Sequence, residues 1–394
     1  MLREVIFAVV ILGVTFCSEG FTLGQNPDCK LPLQPVRYGF FAPLVFTADG
    51  KFAFASDDDI LLSAGERVTI SCEPGLFKSF PDKRTLKAKC VQGEELELED
   101  GKQETWSKSF ACELRAVEEV FASRLAGCPQ EAESIEFGFL NPHTQTSNIV
   151  GEVCYSAQEG RTIFVHAKDS SVLKTESMNY LKSGRHPEGR NKISLFRALR
   201  HDNVHNLLEG KLGSHRVPMM GSRPLLTGFM LDNPQLHLIT RLTWNYIVSY
   251  NDETLKEWEI LQKGVQKLNN KEEIWAGTSG VQQLKDSSGH SFDFYLEEKK
   301  FPVPKYYWLV VKEEDRTVGI LFNNTPKSLR TSGEEHQTCP GHCADIPWLS
   351  DLKESDDPEA LHCCSLDKLR QIVPEIPDIS TDSSTSSIKA DKTI

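Results

Sequence analysis

Eleven cysteines constrain this 394-residue chain more than any other feature. One of them, Cys17, lies in an N-terminal stretch laid out like a secretory signal peptide. Arg3 is its basic start, Val5 to Phe16 its apolar run, and Ser18 to Gly20 its small residues for cleavage. The run is too short to cross a bilayer as a helix. Cleavage after Gly20 leaves ten cysteines, an even number bound for an oxidising compartment, which reads as disulfides. They form an early group (Cys29, Cys72, Cys90, Cys112, Cys128, Cys154) and a late one (Cys339, Cys343, Cys363, Cys364). The late group stands near His342 and His362 and so imitates a zinc site, but neither pair has the C-x-x-C spacing. Disulfides are the preferred reading, and spacing leaves their pairing open.

Length implies two or three domains. Hydrophobic residues make 39% and charged residues 25%, which excludes a collagen-like or wholly disordered chain. The formal charge of −12 argues against a uniformly basic nucleic-acid coat, though not against a local basic patch. No later stretch approaches eighteen consecutive apolar residues, so the expectation is a secreted protein without a membrane span.

Three segments follow the signal-peptide pattern of residues 1–20. Residues 21–130 read as a β-rich module: short apolar pieces such as Leu44-Val45-Phe46 and Val68-Thr69-Ile70 alternate with turn residues, and cysteines staple them. The acidic run Glu94 to Asp100 reads as a solvated face or loop. Residues 131–350 bring a second set of strands, at Ile135 to Leu140, Glu152 to Tyr155, Thr162 to His166, Ile274 to Gly277, Tyr306 to Val311 and Val318 to Phe322. Within it, Leu255, Trp258, Leu261, Val265 and Leu268 recur at helical spacing after Asn251, a good N-cap. Residues 351–394 read as a cysteine-containing segment and then a Ser/Thr-rich, disordered tail.

One segment departs from the acidic average. Residues 161–223 hold twelve Lys or Arg against five acids, an excess of seven, with five histidines besides. A concentrated basic segment in an acidic protein is a candidate phosphate-binding surface. Its candidate contacts are Arg190, Arg197, Arg200, Lys211, Arg216 and Arg223. The sequon Asn323-Asn324-Thr325 offers a glycan site, expected at the surface. No nucleotide-binding loop, serine nucleophile elbow or zincin helix is present in the sequence.

Three stretches together resemble the DNA/RNA non-specific endonucleases. They are Ile274-Trp275-Ala276-Gly277-Thr278-Ser279-Gly280-Val281, the strand Pro302-Val303-Pro304-Lys305-Tyr306-Tyr307-Trp308-Leu309-Val310-Val311, and the helix after Asn251. The likeness covers roughly residues 131–345, and residues 21–130 look like the extra N-terminal module of insect members. It implies an α+β fold: a ββα-metal nuclease-like domain with a mostly antiparallel sheet, preceded by the disulfide-stapled module. It also implies DNA and RNA as partners and a salivary setting.

The chemical core of that family is only half kept. Gly213-Ser214-His215-Arg216-Val217-Pro218 stands where the family has Arg-Gly-His followed two residues later by proline, so the arginine and glycine are lost. Asn251 and Glu259 fit the family's Asn with Glu eight residues on, whereas the earlier Asn-x-x-Pro-Gln stretch reads Leu242-Thr243-Trp244-Asn245-Tyr246. The resemblance makes His215 the general base, Asn251 the protein ligand to Mg²⁺ or Mn²⁺, and Glu259 a carboxylate acting through metal-bound water. Trp244 and Tyr246 read as core residues in preference to base-stacking ones. Losing a phosphate-clamping donor typically lowers the rate about 10²–10³-fold. The expectation is therefore sequence-independent nucleic-acid binding with weak hydrolysis. A fully active endonuclease, or a protein-binding scaffold, are the alternatives.

Overall fold

The structure, a computed structural model, describes residues 28–33, 42–53, 55–56, 59–114, 118–121, 125–168, 174–176, 195, 197–212, 220–227, 230–231, 235, 243–250, 255–268, 271–313, 316–325, 339, 343, 346–354 and 360–379. It is a mixed fold of mostly antiparallel sheets, few helices and five disulfides.

The N-terminal module contains two sheets. One has three strands: β1 (Cys29–Pro32), β3 (Ala55–Ser56) and β4 (Asp59–Leu62). The other has five, in the order β2 (Leu44–Thr47), β5 (Arg67–Ser71), β6 (Thr85–Gln92), β7 (Glu95–Leu98) and β8 (Gln103–Thr105), followed by the short helix α1 (Trp106–Ser109). Cys29–Cys90 and Cys72–Cys112 bridge this module internally, around a core that includes Ile60, Ile70, Phe77, Leu96 and Trp106. The middle of the acidic run, Glu95–Leu98, is a strand, with turn residues at Glu94 and at the exposed Glu99 and Asp100: Leu96 and Leu98 face the core, while Glu97 lies 3.0 Å from Lys89 across β6. The period-2 alternation of Glu and Leu is what orders it.

The main sheet has nine strands. Along it run β23 (Leu361–Cys364), β22 (Thr317–Asn323), β21 (Pro304–Glu313), β16 (Lys271–Val281), β12 (Arg161–Lys168), β11 (Thr146–Ser156), β10 (Glu133–Asn141) and β9 (Glu118–Phe121), with β13 (Lys174–Glu176) also paired to β11. Every pairing is antiparallel. The sheet draws in segments on both sides of residues 131–350, because β9 and β23 complete its ends. The apolar run in β21 is buried almost throughout, as a strand covered on both faces must be.

Each face has its own cover. On one, Val153, Val165, Ala276, Leu309 and Ile320 pack against Trp258, Leu261 and Val265 of helix α3 (Leu255–Gln266). The apolar spacing of that helix predicts this buried stripe. On the other, Phe164, Trp308, Val310 and Leu321 meet Leu366 and Leu369 of helix α4 (Leu366–Ile372), which Ser365 caps through Lys368 N–H. Cys128–Cys154, Cys339–Cys364 and Cys343–Cys363 bridge this part of the chain. All ten cysteines after Cys17 are thus paired, so the zinc imitation in the late group is excluded.

Strand β2 joins module to sheet by the same alternation. Val45 belongs to the module core, whereas Leu44 and Phe46 belong to the main core. Phe46, Phe52 and Phe139 form an aromatic triangle there, with centroids 4.8–5.8 Å apart. The Gln235 side chain accepts from Val45 N–H at 2.7 Å and donates to Val45 C=O at 3.0 Å. Among the described residues, no helix is long and apolar enough to cross a membrane.

Candidate nucleic-acid interface

Two strands leave the main sheet and pair only with each other, β14 (Met220–Pro224) and β15 (Tyr246–Tyr250). Their antiparallel register runs from Met220 opposite Tyr250 to Pro224 opposite Tyr246. The start of β14 and the end of β15 therefore lie at one end of the ribbon. Helix α3 begins five residues after Tyr250.

The ribbon is wedged between two cores. Met220, Val248 and Tyr250 pack against Val204, Leu208 and Leu212 of helix α2 (His201–Leu212). Ile247 instead faces the main core with Trp244, whose ring stacks on Phe137 at 4.8 Å. Trp244 is accordingly a core residue, in line with the packing preference. Tyr307 of β21 donates its hydroxyl to Val248 C=O at 2.7 Å, tying ribbon to sheet. Arg223 donates to Tyr250 C=O at 3.3 Å, so its guanidinium lies against the last peptide of β15. Among the functional candidates, this bracing contact had no signal in the sequence, where Arg223 stands as a candidate phosphate contact and nothing points to Tyr250 as its partner.

Burial raises the phenols of Tyr250, on the ribbon, and Tyr307, on β21. Tyr250 and Tyr307 are held above the ordinary tyrosine range chiefly by loss of water, and Arg223 opposes this at Tyr307. A phenol kept neutral in the fold but free to ionise near pH 10 once unfolded stabilises fully below that pH. The contribution is lost as pH climbs beyond it. Of the eight tyrosines, these two should resist ionisation in an alkaline ultraviolet titration until the protein unfolds. Smooth titration of all eight near pH 10 with the fold intact would contradict the buried ribbon.

The sequence candidates are distributed as follows. Arg197, Arg200 and Lys211 are exposed on α2 and its approach, and Lys211 Nζ lies 4.5 Å from the centre of the Phe292 ring. Arg223 is half-buried on the ribbon that packs against α2. The structure thus gathers these four around one small core. Glu259 lies within α3, one residue past the buried Trp258. Arg190, His215, Arg216 and Asn251 lie outside the described residues.

The sequon does not fit its expected setting. Asn323 ends β22 at 1% exposure, its Oδ1 accepts from Thr325 N–H at 3.0 Å, and its Nδ2, the atom a glycan would occupy, is buried. Asn324 and Thr325 are buried too, with Thr325 Oγ1 2.9 Å from Gln282 Oε1. Strand alternation exposes no sequon here because the segment turns inward beside β21, where Asn324 Nδ2 donates to Pro304 C=O. The expectation of a surface glycan is corrected accordingly. The intact mass of folded protein should carry no sugar at Asn323, and glycosidase treatment should leave it unchanged.

No three His, Cys, Asp or Glu side chains converge as a metal cage among the described residues. No family model matches the chain, and no curated protein matches it significantly.

Proposed function

We propose that this is a secreted nuclease-fold protein of the ββα-metal kind, which binds DNA and RNA without sequence preference and retains weak metal-dependent phosphodiester hydrolysis. The observation that carries the reading is the order of ribbon and helix: β14, β15 and then α3, with both open strand ends together at Met220 and Tyr250. Asn251 follows Tyr250 directly, and His215 precedes Met220 by five residues, at most about 18 Å of extended chain. Both candidates are therefore within reach of one ribbon end.

In this reading, Arg197, Arg200 and Lys211 meet phosphate, together with Arg190, Arg216 and Arg223. Cationic contacts of this kind release counterions, so binding weakens steeply with salt. His215 removes a proton from the attacking water. Asn251 would hold Mg²⁺ or Mn²⁺, which when bound stabilises charge developing on the phosphate. Glu259, within α3, orients water and does not touch the ion. Loss of the motif arginine and glycine before His215 accounts for weak turnover. The five disulfides accord with an extracellular setting. Saliva follows only from the resemblance.

A plasmid gel across a salt series, with and without Mg²⁺, tests the whole reading. Retarded but largely intact plasmid, released by salt, is expected, with slow Mg²⁺-dependent nicking that His215→Ala abolishes. Alanine at Arg197, Arg200 or Lys211 should each reduce the salt slope by about one. Fast fragmentation would instead establish a fully active endonuclease. Neither shift nor nicking at low salt would leave the fold as a scaffold for protein partners.

A further inference from the structure

A second polar site lies away from the ribbon, on the sheet face that carries Trp308. Register sets Glu152 of β11, His166 of β12 and Trp275 of β16 side by side across three strands. Glu273, two residues before Trp275 on β16, shares that face by strand alternation. His166 is 94% buried, being 6% exposed, and its ring stacks on the Trp275 indole with centroids 4.3 Å apart and planes within 8°. Its orientation is thereby fixed. Nδ1 lies 3.2 Å from Glu152 Oε2, and Nε2 lies 3.6 Å from Glu273 Oε2.

These distances assign different roles to the two ring nitrogens. A carboxylate only accepts, so the Nδ1 contact places a proton on Nδ1; in the neutral ring that tautomer leaves the lone pair on Nε2. Nε2 is buried without a hydrogen bond, and 3.6 Å to Glu273 exceeds hydrogen-bond length. Two electron-pair donors facing each other in this way suit a cation held between them. Zinc-class ions bind imidazole nitrogen and carboxylate oxygen at about 2.0–2.2 Å. A span of 3.6 Å then subtends roughly 120° at the ion, within the reach of a distorted tetrahedral site.

We infer that His166 Nε2 and Glu273 bind a zinc-class divalent cation, with Glu152 holding the imidazole from behind. The carboxylate–histidine–metal arrangement is the usual device for fixing a ligand's tautomer and raising its basicity. Water completes the coordination from the side where Glu273 remains 21% exposed. Lys168 and Lys312 stand opposite Glu273 by register, and Glu136 stands opposite Glu152. The site needs neither His215 nor Asn251, and its preference for nitrogen-ligated ions separates it from a Mg²⁺ site.

Titrating chelator-treated, full-length protein with Co²⁺, and then displacing it with Zn²⁺, tests the assignment. One equivalent should bind with visible absorption and quench tryptophan fluorescence. Glu273→Gln and His166→Gln should each weaken binding at least tenfold, and Glu152→Gln by about 10- to 100-fold. His205→Ala, on helix α2, should leave it unchanged. If His166→Gln fails to fold, the two glutamate variants carry the test. No binding at millimolar metal, or binding indifferent to Glu273→Gln and Glu152→Gln, would overturn it and leave His166 as a buried core contact of the two glutamates.

Discussion

Replacing Gly277 by alanine is expected to cost more than about 3 kcal/mol, enough to leave a marginal fold largely unfolded. Gly277 lies in β16, between β12 and β21, with Phe164 and Trp308 as its cross-strand partners. A methyl group there would overlap the Ile163 carbonyl oxygen and the six-membered ring of Trp308. Neither neighbour can withdraw. The carbonyl belongs to a central strand, and Trp308 is fully buried beneath α4. Overpacking alone typically costs about 1–3 kcal/mol, and the backbone overlap adds to it. Denaturant melting of the purified variant is the measurement. A midpoint close to wild type would mean that the indole does not lie over this glycine.

Serine at both Cys72 and Cys112 should produce the other large loss, about 2–5 kcal/mol, confined at first to the N-terminal module. That module is small, and a small core leaves little stability to spare without its staples. Cys72 and Cys112 close a loop across forty positions, and both are completely buried beside Phe77 and Phe110. Limited proteolysis should then cut within residues 59–114 before the main sheet. Simultaneous unfolding of both parts would instead show that the Phe46–Phe139 contact couples them fully. An unchanged cleavage pattern would mean that the bridge contributes little.

Much of the sheet was legible because its strands obey simple periodicities. Val318 to Phe322 and Tyr306 to Val311 are nearly continuous apolar runs, and the structure buries them on both faces. The stripe of Trp258, Leu261 and Val265 marked α3 equally well. Glu95 to Leu98 was harder, because alternating charge on an exposed face resembles a loop in composition although its period is that of a strand. The ends of the main sheet were hidden for another reason. Glu118–Phe121 and Leu361–Cys364 are four-residue strands, too short for periodicity to speak, and only pairing with distant neighbours makes them strands. The disulfide count was readable, but pairing depends on that same long-range geometry.

The candidate site divides in the same way. The basic residues were visible as a charge excess; Arg197, Arg200 and Lys211 stand on or beside α2 and Arg223 on β14, elements that share one apolar core. The burial of Asn323 was invisible, since a tripeptide motif carries no information about which way its strand turns. His166 illustrates the converse limit. A lone histidine in an apolar strand reads as ordinary core, and its two glutamates, 14 residues before it and 107 after, become neighbours only through the sheet.

The adjacent cysteines of β23 have a consequence for how the molecule meets its own copies. Side chains alternate along a strand, so Cys363 and Cys364 point to opposite faces, the first reaching Cys343 in one core and the second Cys339 in the other. The terminal strand is riveted from above and below. Peeling it away would bare the hydrogen-bonding rim of β22, a template on which a second chain could add a strand. Two covalent ties hold that rim covered at high concentration in an oxidising fluid. A reducing environment would remove both at once and leave the strand held by its pairing with β22 and its packing alone.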